Sequence, residues 1–551
     1  MPEFDPMNYE VGQVVTVTTA DVAHGGWCVA RPDDGPVVFV RHALPGETVR
    51  ARLSEVTSRL ARAEAVEILA PSPDRVEPPC PYAHPGGCGG CDWQHATLPA
   101  QRALKAAVIR QQLRRLAGLD CEVTVEALPG DQEPGPGAGL GWRTRVQFAV
   151  RPDGVAGLRA HRSHQVIDIG ECLIAHSGIT DLGVPARRWP DASSVEAVVS
   201  PGSDERVLIL TPASARPADL PAAGAAPCQH GPADPPSADA APYRGGAADP
   251  PSANAARRDG PADLPGADAV LRRTGPSGRR LTPVRGRAYL HQHAAGRDWR
   301  VSAGAFWQVH PGAADALTEA VLTALNPQPG DTALDLYCGA GLFAGALAPA
   351  VGPGGTVAGV EADPAAVRDA RHNLRPWPWA RVRKGDVAAI LRREGGPAAR
   401  PRRNGRPGAD GAVPRREGRP GAEGAVPRRD GRPGAEGTVR RRSGRRVADG
   451  ALLRRDGRPG AEGAVLPRAR LVVADPPRSG LAREVIDYLA AGHGAARFAY
   501  VSCDPATLAR DIGLLIERGW TLAGLRAFDA FPMTHHVECV ATLVTGAAAR
   551  D

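Results

Sequence analysis

The chain has 551 residues, enough for two to four domains with sizeable apolar cores, and a formal net charge of +7. Residues 402–468 alone carry eighteen arginines and eight acidic residues, a net +10, which leaves the rest of the chain at −3. The overall charge is therefore no sign of a nucleic-acid partner for the ordered domains. The N-terminus has no apolar signal segment, and no run approaches the roughly 18 apolar residues of a membrane-spanning helix. We expect a cytoplasmic protein without a membrane partner.

The N-terminal part of the chain is predicted to be rich in strands. Residues 9–70 contain short alternating runs separated by Gly and Pro, a pattern typical of a small β-barrel. Residues 98–118 have the apolar spacing of an amphipathic helix, and strand patterns return over 141–210. Tyr9, Trp27 and Phe39 of the barrel are candidates for stacking on RNA bases, although core packing is the commoner use of such residues.

Two segments lack the composition of a folded domain. The first, 213–284, is rich in Pro and Ala and repeats "ADPPSADAA" as "ADPPSANAA". The second, 396–468, contains five copies of a 13-residue unit such as "RREGRPGAEGAVP". Each unit offers only a few aliphatic residues, too few to offset the entropy of ordering the chain. We predict that both segments are disordered insertions.

Strand and helix patterns alternate from residue 331 onward, in "TALDLY", "TVAGVEA", "RLVVADPP" and "RFAYVSCD" with helical runs between them. This alternation predicts right-handed crossovers and a parallel sheet, so the fold class is α/β.

Four cysteines form a candidate metal site. Cys80, Cys88 and Cys91 lie in "CPYAHPGGCGGC", and Cys172 is a plausible distant fourth ligand. Zinc is the usual occupant of a C-x2-C pair, but a second pair is missing. Three clustered thiolates with one remote partner are also typical of iron–sulfur ligation. Zinc, an iron–sulfur cluster and incidental cysteines all remain open at this point.

Polar residues follow the predicted parallel strands. "DLYCGAG" is a glycine loop after the first strand, and Glu361 ends the second, where it can take ribose hydroxyls. Asp386 follows the third strand, where an acid can meet an adenine. Asp475 of "VVADPPRSG" is expected at the same edge of the sheet, above a bound cofactor. Because the loop lacks the full G-x-G-x-x-G pattern, a methyl donor with a nucleoside fits better than NAD.

Cys503 in "YVSCDPATLARD" lies between a predicted strand and a predicted helix that starts with Asp504 as N-cap and a following proline. Most free cysteines are small buried hydrophobic residues. A helix N-terminus, however, lowers a thiol pKa, so this position also suits a nucleophile.

Six motifs together carry a family resemblance: "CGGCDWQH", "FWQVH", "DLYCGAG", "DPPRSG", "SCDPATLARD" and "HHVEC". In this order they resemble the bacterial S-adenosylmethionine-dependent RNA uracil-C5 methyltransferases that carry an N-terminal TRAM domain and a [4Fe–4S] cluster. The resemblance covers about 9–210 and 285–545.

The resemblance implies a domain layout. It consists of a TRAM-like RNA-binding barrel over 9–70 and a β-rich central domain over 71–212 and 285–310 that holds the cluster. A Rossmann-like methyltransferase domain spans 311–395 and 469–551.

The resemblance also implies residue roles. Cys503 is the nucleophile and Glu538 the base; the cluster ligands are Cys80, Cys88, Cys91 and Cys172. The S-adenosylmethionine pocket comprises Gln308, Tyr337, Glu361, Asp386 and Asp475.

The expected activity is methyl transfer to C5 of a uridine in RNA through a covalent bond between the cysteine and C6 of the uracil. Ribosomal RNA, such as 23S ribosomal RNA, is favoured over transfer RNA, and the enzyme is expected to be a monomer. Two alternatives remain: a methyltransferase for another planar acceptor, and a catalytically silent RNA-binding module. A binding module needs neither Cys503 nor Glu538.

Overall fold

A closed five-stranded barrel forms the N-terminal part of the fold. Alternate residues of its first strand are buried, so Val15 and Val17 point inward, as a period of two requires. The strands are β1 (Val14–Ala23), β2 (Trp27–Ala30), β3 (Val37–Arg41), β4 (Thr48–Val56) and β5 (Leu60–Ala70), in the order β1-β2-β3-β5-β4. The predicted barrel is confirmed.

The computed structural model describes residues 9–32, 35–131, 135, 137–213, 258–259, 266–275, 280–394, 466–491 and 493–546.

A helix and a seven-stranded sheet follow the barrel. The predicted helix is α1 (Leu98–Gln112), which begins with Thr97 as N-cap and continues as a π-helical turn, Leu113–Ala117. The sheet has the order β15-β14-β12-β11-β7-β8-β9. Its strands are β7 (Arg145–Val150), β8 (Ala156–Arg159), β9 (Val166–Asp168), β11 (Ala192–Val199), β12 (Arg206–Pro212), β14 (Ala269–Thr274) and β15 (Arg280–Arg285).

Two strands of this sheet come from the segment that we expected to be a disordered insertion, and for them that expectation is wrong. Strand β14 pairs in parallel with β12 and buries Val270 and Leu271, and β15 pairs with β14. The short run "AVL" at 269–271 is apolar enough to complete the central core, a signal hidden by the Pro/Ala-rich sequence before it. Expectations for 214–257, 260–265, 276–279 and 395–465 lie outside the described residues.

Shorter elements connect these parts. They are β6 (Val125–Ala127), α2 (Ser177–Thr180), β10 (Arg187–Arg188), β13 (Arg258–Asp259), and the hairpin β16 (Tyr289–Ala294) with β17 (Arg297–Ser302).

The C-terminal half contains an eight-stranded sheet with the order β20-β19-β18-β21-β22-β24-β23-β6. Strands β18 (Thr332–Leu336), β19 (Thr356–Glu361), β20 (Ala380–Lys384), β21 (Leu471–Ala474) and β22 (Arg497–Ser502) are parallel, as predicted. The last two strands, β23 (Trp520–Asp529) and β24 (Glu538–Thr545), form an antiparallel hairpin against β22. The helices are α3 (Ala313–Leu325), α4 (Leu342–Val351), α5 (Pro364–Asn373), α6 (Val387–Glu394), α7 (Arg483–Ala490) and α8 (Pro505–Ile516).

Two features of this sheet position the site. Apolar side chains cover both of its faces, so that polar groups collect at the carboxyl edge. The eighth strand, β6, comes from the N-terminal half of the chain and pairs with β23. The eight-stranded sheet is therefore built from three separate stretches of sequence. No helix in the described ranges is long and apolar enough to cross a membrane.

Candidate active site and cysteine pocket

Cys503 lies at the carboxyl end of β22, directly before α8. Its neighbour Asp504 caps the helix, because one carboxylate oxygen accepts hydrogen bonds from the backbone amides of Ala506 (3.1 Å) and Thr507 (2.8 Å). The predicted N-cap is confirmed. The thiol is half-buried at the edge of the sheet where ligands bind in open α/β folds.

Glu538 lies beside Cys503 on the neighbouring strand. Because Ser502 of β22 pairs with Cys539 of β24 in an antiparallel register, the next residue of β22 and the preceding residue of β24 meet at the same end. The Glu538 side chain is 4% exposed. The structure thus brings together two residues that are 35 positions apart in the sequence.

Asp475 and Arg478 of the "DPPRSG" loop complete this group. Both act on the Cys503 thiol: Arg478 donates a hydrogen bond that lowers its pKa, and the carboxylate of Asp475 raises it. Arg478 also lies 3.5 Å from Nε2 of His536. We did not single out Arg478 from the sequence, although it lies inside a motif that we quoted.

Burial dominates the electrostatics of the site. It raises the pKa of Cys503 to about 12; Glu538 raises this pKa further, and Arg478 lowers it. The expectation of a lowered thiol pKa is therefore wrong for the free protein. Burial also raises the pKa of Asp475 to about 7, and burial together with Asp475 raises the pKa of Glu538 well above its usual value.

The glycine loop after β18 is built around Glu361 at the end of β19. The two carboxylate oxygens of Glu361 accept hydrogen bonds from the backbone amides of Gly339 (3.0 Å) and Asp363 (2.7 Å). Gly339 has φ of +53°, and a Cβ built there would meet nothing within 4 Å. The loop therefore borders open space on the ligand side. Below it, buried Asp335 keeps one oxygen without a hydrogen-bond partner.

Tyr337 and Asp386 line one cavity of about 680 Å3 together with the "DPPRSG" loop. Tyr337 has φ of +64°, which is uncommon for a bulky residue and is frequent near functional sites. Asp386 is exposed and also caps α6, accepting a hydrogen bond from the Ala389 amide at 2.8 Å. Gln308 is 7% exposed, in the segment between β17 and α3.

The four predicted metal ligands line a second cavity, of about 440 Å3. Burial raises the pKa of each of the four thiols. The negative charge of neighbouring thiolates raises the pKa of Cys80, Cys88 and Cys91 further. Remote Cys172 is thus brought to the other three, as expected. In the part of the chain that the structure describes, no group of three or more His, Cys, Asp or Glu side chains is arranged to hold a single metal ion.

Two of the three barrel aromatics pack against other residues of the protein, and the third, Phe39, is half-buried. Trp27 is 7% exposed and packs edge-on against His161 with two arginines over its ring. Tyr9 is only partly buried and packs against the barrel core.

Two family models match the chain. One, described as the TRAM domain, matches residues 9–66, and the other, described as tRNA (Uracil-5-)-methyltransferase, matches residues 468–545.

Whole-chain relatives agree with these matches. An uncharacterized RNA methyltransferase of Streptomyces avermitilis is 41% identical over 541 residues, which cover 97% of this chain and 98% of the relative. The 23S rRNA (uracil(1939)-C(5))-methyltransferase RlmD of a Shewanella species is 28% identical and covers 92% of this chain and 90% of its own.

A solved structure shares the fold. The tRNA (uracil-54, C5)-methyltransferase of Pyrococcus abyssi, in complex with S-adenosyl-L-homocysteine, has a TM-score of 0.57 and 17% identity, covering 97% of this chain and 100% of its own. Fold and site together define a methyltransferase with an attached TRAM barrel. The chain belongs to the family of S-adenosylmethionine-dependent RNA uracil-5-methyltransferases.

Proposed function

We propose that this protein methylates C5 of a uridine in RNA through a covalent bond between Cys503 and C6 of the uracil. The observation that carries the proposal is the juxtaposition of Cys503 and Glu538 at one end of two paired strands, with Asp475 and Arg478 beside them. Ribosomal RNA is the favoured target, because the relative named for a 23S ribosomal RNA uridine is 28% identical over 92% of this chain, whereas the transfer RNA enzyme is 17% identical and shares only the fold.

The chemistry requires a nucleophile because C5 of uracil is a poor nucleophile by itself. The Cys503 thiol, which is protonated in the free protein, first gives its proton to solvent. The thiolate sulfur then adds to C6, which forms a C–S bond and moves the electrons of the C5–C6 double bond toward C5 and the carbonyl oxygen. C5 then takes the methyl group of S-adenosylmethionine, the S–CH3 bond breaks, and S-adenosylhomocysteine leaves. Arg478, which lowers the thiol pKa, stabilises the thiolate that attacks.

A base must then remove the proton from C5. Glu538 suits this role, because its raised pKa makes its carboxylate a strong proton acceptor. Loss of that proton restores the C5–C6 double bond as the C–S bond breaks, and the thiolate returns to the enzyme.

The methyl donor is proposed to occupy the carboxyl edge between β18 and β20. Glu361 would hold the ribose hydroxyls, Asp386 and Tyr337 would border the adenine, and Gln308 and Asp475 would face the methionine part. The open space beside Gly339 and the cavity that Tyr337 and Asp386 share support this assignment.

We further propose that Cys80, Cys88, Cys91 and Cys172 hold a [4Fe–4S] cluster. All four thiols line one cavity of about 440 Å3, which supports a shared ligand for them. The cluster would supply a rigid crosslink between residues 80–95, which we call the cysteine loop, and the segment around Cys172.

The experiment that tests the covalent mechanism uses RNA with 5-fluorouridine at the target. Fluorine cannot leave as a proton, so the wild-type protein and S-adenosylmethionine should form a stable methylated adduct. Cys503→Ala should abolish both the adduct and turnover, whereas Cys121→Ala, at a half-exposed thiol elsewhere, should leave both unchanged.

Glu538→Gln should behave differently. Addition and methyl transfer proceed, but proton removal slows, so a covalent complex with ordinary uridine RNA should accumulate. Glu517→Gln, an exposed residue at the end of α8, is the matched control. Near-normal methylation of uridine C5 by Cys503→Ala would refute the covalent mechanism. Failure of the wild-type protein to methylate uridine C5 would instead favour another planar acceptor or a silent RNA-binding protein.

A further inference from the structure

Residues 530–537, which we call the catalytic segment, link β23 to β24 and lead directly into Glu538. Within it, Met533 has φ of +67°, an unfavourable conformation for a residue other than glycine, which persists only when surrounding contacts enforce it. The contacts that hold this segment therefore decide where the base and its neighbours lie.

Most of these contacts come from the cysteine loop and α1. The backbone amides of Asp92 and Trp93 donate to the carbonyl of Met533 at 2.9 and 3.0 Å. On the other side, the side-chain oxygen of fully buried Gln101 accepts a hydrogen bond from the Met533 amide at 2.7 Å.

Asp92 joins three parts of the molecule through its carboxylate. One oxygen accepts hydrogen bonds from the backbone amide of His535 (3.2 Å) and from its ring Nδ1 (2.6 Å). The other accepts from Arg41 of the barrel strand β3 at 3.2 Å. Asp92 and Arg41 are both buried. Asp92 thus links the barrel, the cysteine loop and the catalytic segment at one point.

The linkage continues toward the nucleophile. The ring centroids of His535 and His536 are 4.1 Å apart. Nε2 of His536 lies 3.5 Å from the Arg478 guanidinium, which in turn lowers the pKa of the Cys503 thiol. The barrel also approaches closely at Gly26, where a Cβ would lie 3.1 Å from the Cβ atoms of both Asp92 and His535.

From these contacts we propose that Asp92 is a positioning residue, which fixes the catalytic segment and thereby aligns Glu538 and Arg478 with the reacting uracil. The proposal rests on the proposed function for its kinetic consequence only. Asp92 touches neither the reacting atoms nor a substrate; it acts through His535 and Met533.

The test compares Asp92→Asn with the wild-type holoenzyme. Hydrogen exchange at peptides covering 530–537 should become at least about tenfold faster in the variant. The single-turnover rate of methyl transfer should fall about 100-fold, the loss that a misplacement of about 1 Å causes. RNA affinity should stay within about threefold, and iron content and the visible spectrum should match the wild type. Asp153→Asn, an exposed acid paired with Arg151, is the control.

A second variant perturbs the same junction from outside the cysteine loop. Gly26→Ala should reproduce the faster exchange and slower methyl transfer, because its Cβ crowds Asp92 and His535. Gly12→Ala has a similar positive φ but nothing within 4 Å, so it should leave both unchanged. The proposal would be overturned if the Asp92→Asn and Gly26→Ala variants showed the wild-type rate of hydrogen exchange over 530–537. It would also be overturned if both variants transferred the methyl group at the wild-type rate. If the wild-type protein itself fails to methylate uridine C5, the proposed function fails, while the exchange experiment still tests the positioning.

Discussion

At the scale of single residues, the environment of Cys503 holds its thiol in the protonated form. Burial and two neighbouring carboxyl groups act in the same direction, and the single arginine that opposes them is too weak to reverse their effect. A protonated resting thiol resists adventitious alkylation and oxidation, which require the thiolate. Reactivity is then confined to the complex in which the uracil ring lies beside the sulfur.

This environment predicts a pH dependence for the free enzyme. Because the pKa of Cys503 is raised to about 12, the thiolate fraction grows tenfold with each pH unit below that value. Alkylation of Cys503 by iodoacetamide, followed by peptide mass spectrometry, should therefore accelerate about tenfold per unit from pH 7 to pH 10 without levelling off. A plateau below pH 9 would show that the resting thiol is much more acidic than its surroundings imply.

Motifs made some of the site predictable. Cys503 and the three clustered cysteines carry a local signal in the sequence, whereas Glu538 is assigned only from the family resemblance. The structure places Glu538 beside Cys503, and it places Cys172 in one cavity with the other three cysteines. Asp92 and His535 lie inside two of the quoted motifs, but neither motif indicates that the two side chains interact, because the positions are 443 residues apart. Such contacts depend on how the barrel packs on the sheet, which no local pattern encodes.

At the scale of elements, α1 is fastened to the sheet by a buried ion pair. Lys105, 1% exposed, donates to Asp529 at 2.5 Å and to the Phe531 carbonyl at 3.0 Å. It is one of only two lysines in a chain rich in arginine. A guanidinium has five donors, more than two acceptors can satisfy in a dry site, whereas an ammonium has three.

Lys105→Met should lower the free energy of unfolding by about 3–5 kcal/mol, because it leaves the Asp529 carboxylate buried without a cation. Lys105→Arg should not restore the wild-type value. Thermal or urea unfolding monitored by circular dichroism measures both. The control, Arg114→Met, removes an exposed pair with Asp120 near the end of the same helix and should leave the free energy of unfolding close to the wild-type value. Equal losses in the two variants would contradict the role of Lys105.

The connection between α6 and β21 should tolerate removal of the repeats. Its two ends already meet, since the Leu466 amide donates to the Glu394 carboxylate at 2.7 Å. Replacing 396–464 with Gly-Ser-Gly should leave methyl transfer within about twofold of the wild type, because loop-closure entropy depends only weakly on length. Insoluble protein, or a large loss of RNA affinity, would show that the repeats contribute to folding or binding.

The alternating pattern made the parallel strands predictable, but not the complete sheet. The short β6 is only three residues long and gives no periodic signal, and β14 follows a segment whose composition favours disorder. Each of the two strands pairs with a longer strand of its sheet: β6 with β23, and β14 with β12. Their structure depends on tertiary pairing more than on their own propensity.

At the scale of the whole molecule, the cysteine pocket lies where the central domain meets the barrel. His161 of the hairpin after β8 both lines the pocket and contacts Trp27 of the barrel. A crosslink through the four cysteines would therefore stiffen the same region that holds the catalytic segment.

Protein purified without oxygen should be brown and contain about four irons per chain. Cys172→Ala should lose the colour and the iron, because it removes one of the four ligands, whereas Cys121→Ala should keep both. Iron analysis and the visible absorption spectrum measure this outcome. A colourless protein with stoichiometric zinc would refute the iron assignment.

The order of the strands also has a consequence for biosynthesis. Strand β21 pairs with β18 at the centre of the sheet, yet residues 337–470 lie between them in the sequence. At a ribosomal rate of about 5–20 residues per second, β18 waits roughly 7–27 s with an unpaired, apolar edge before its neighbour emerges. Unpaired edges of this kind invite association with other chains. The nascent protein is thus most vulnerable to aggregation, and most in need of a chaperone, while the ribosome translates the repeats.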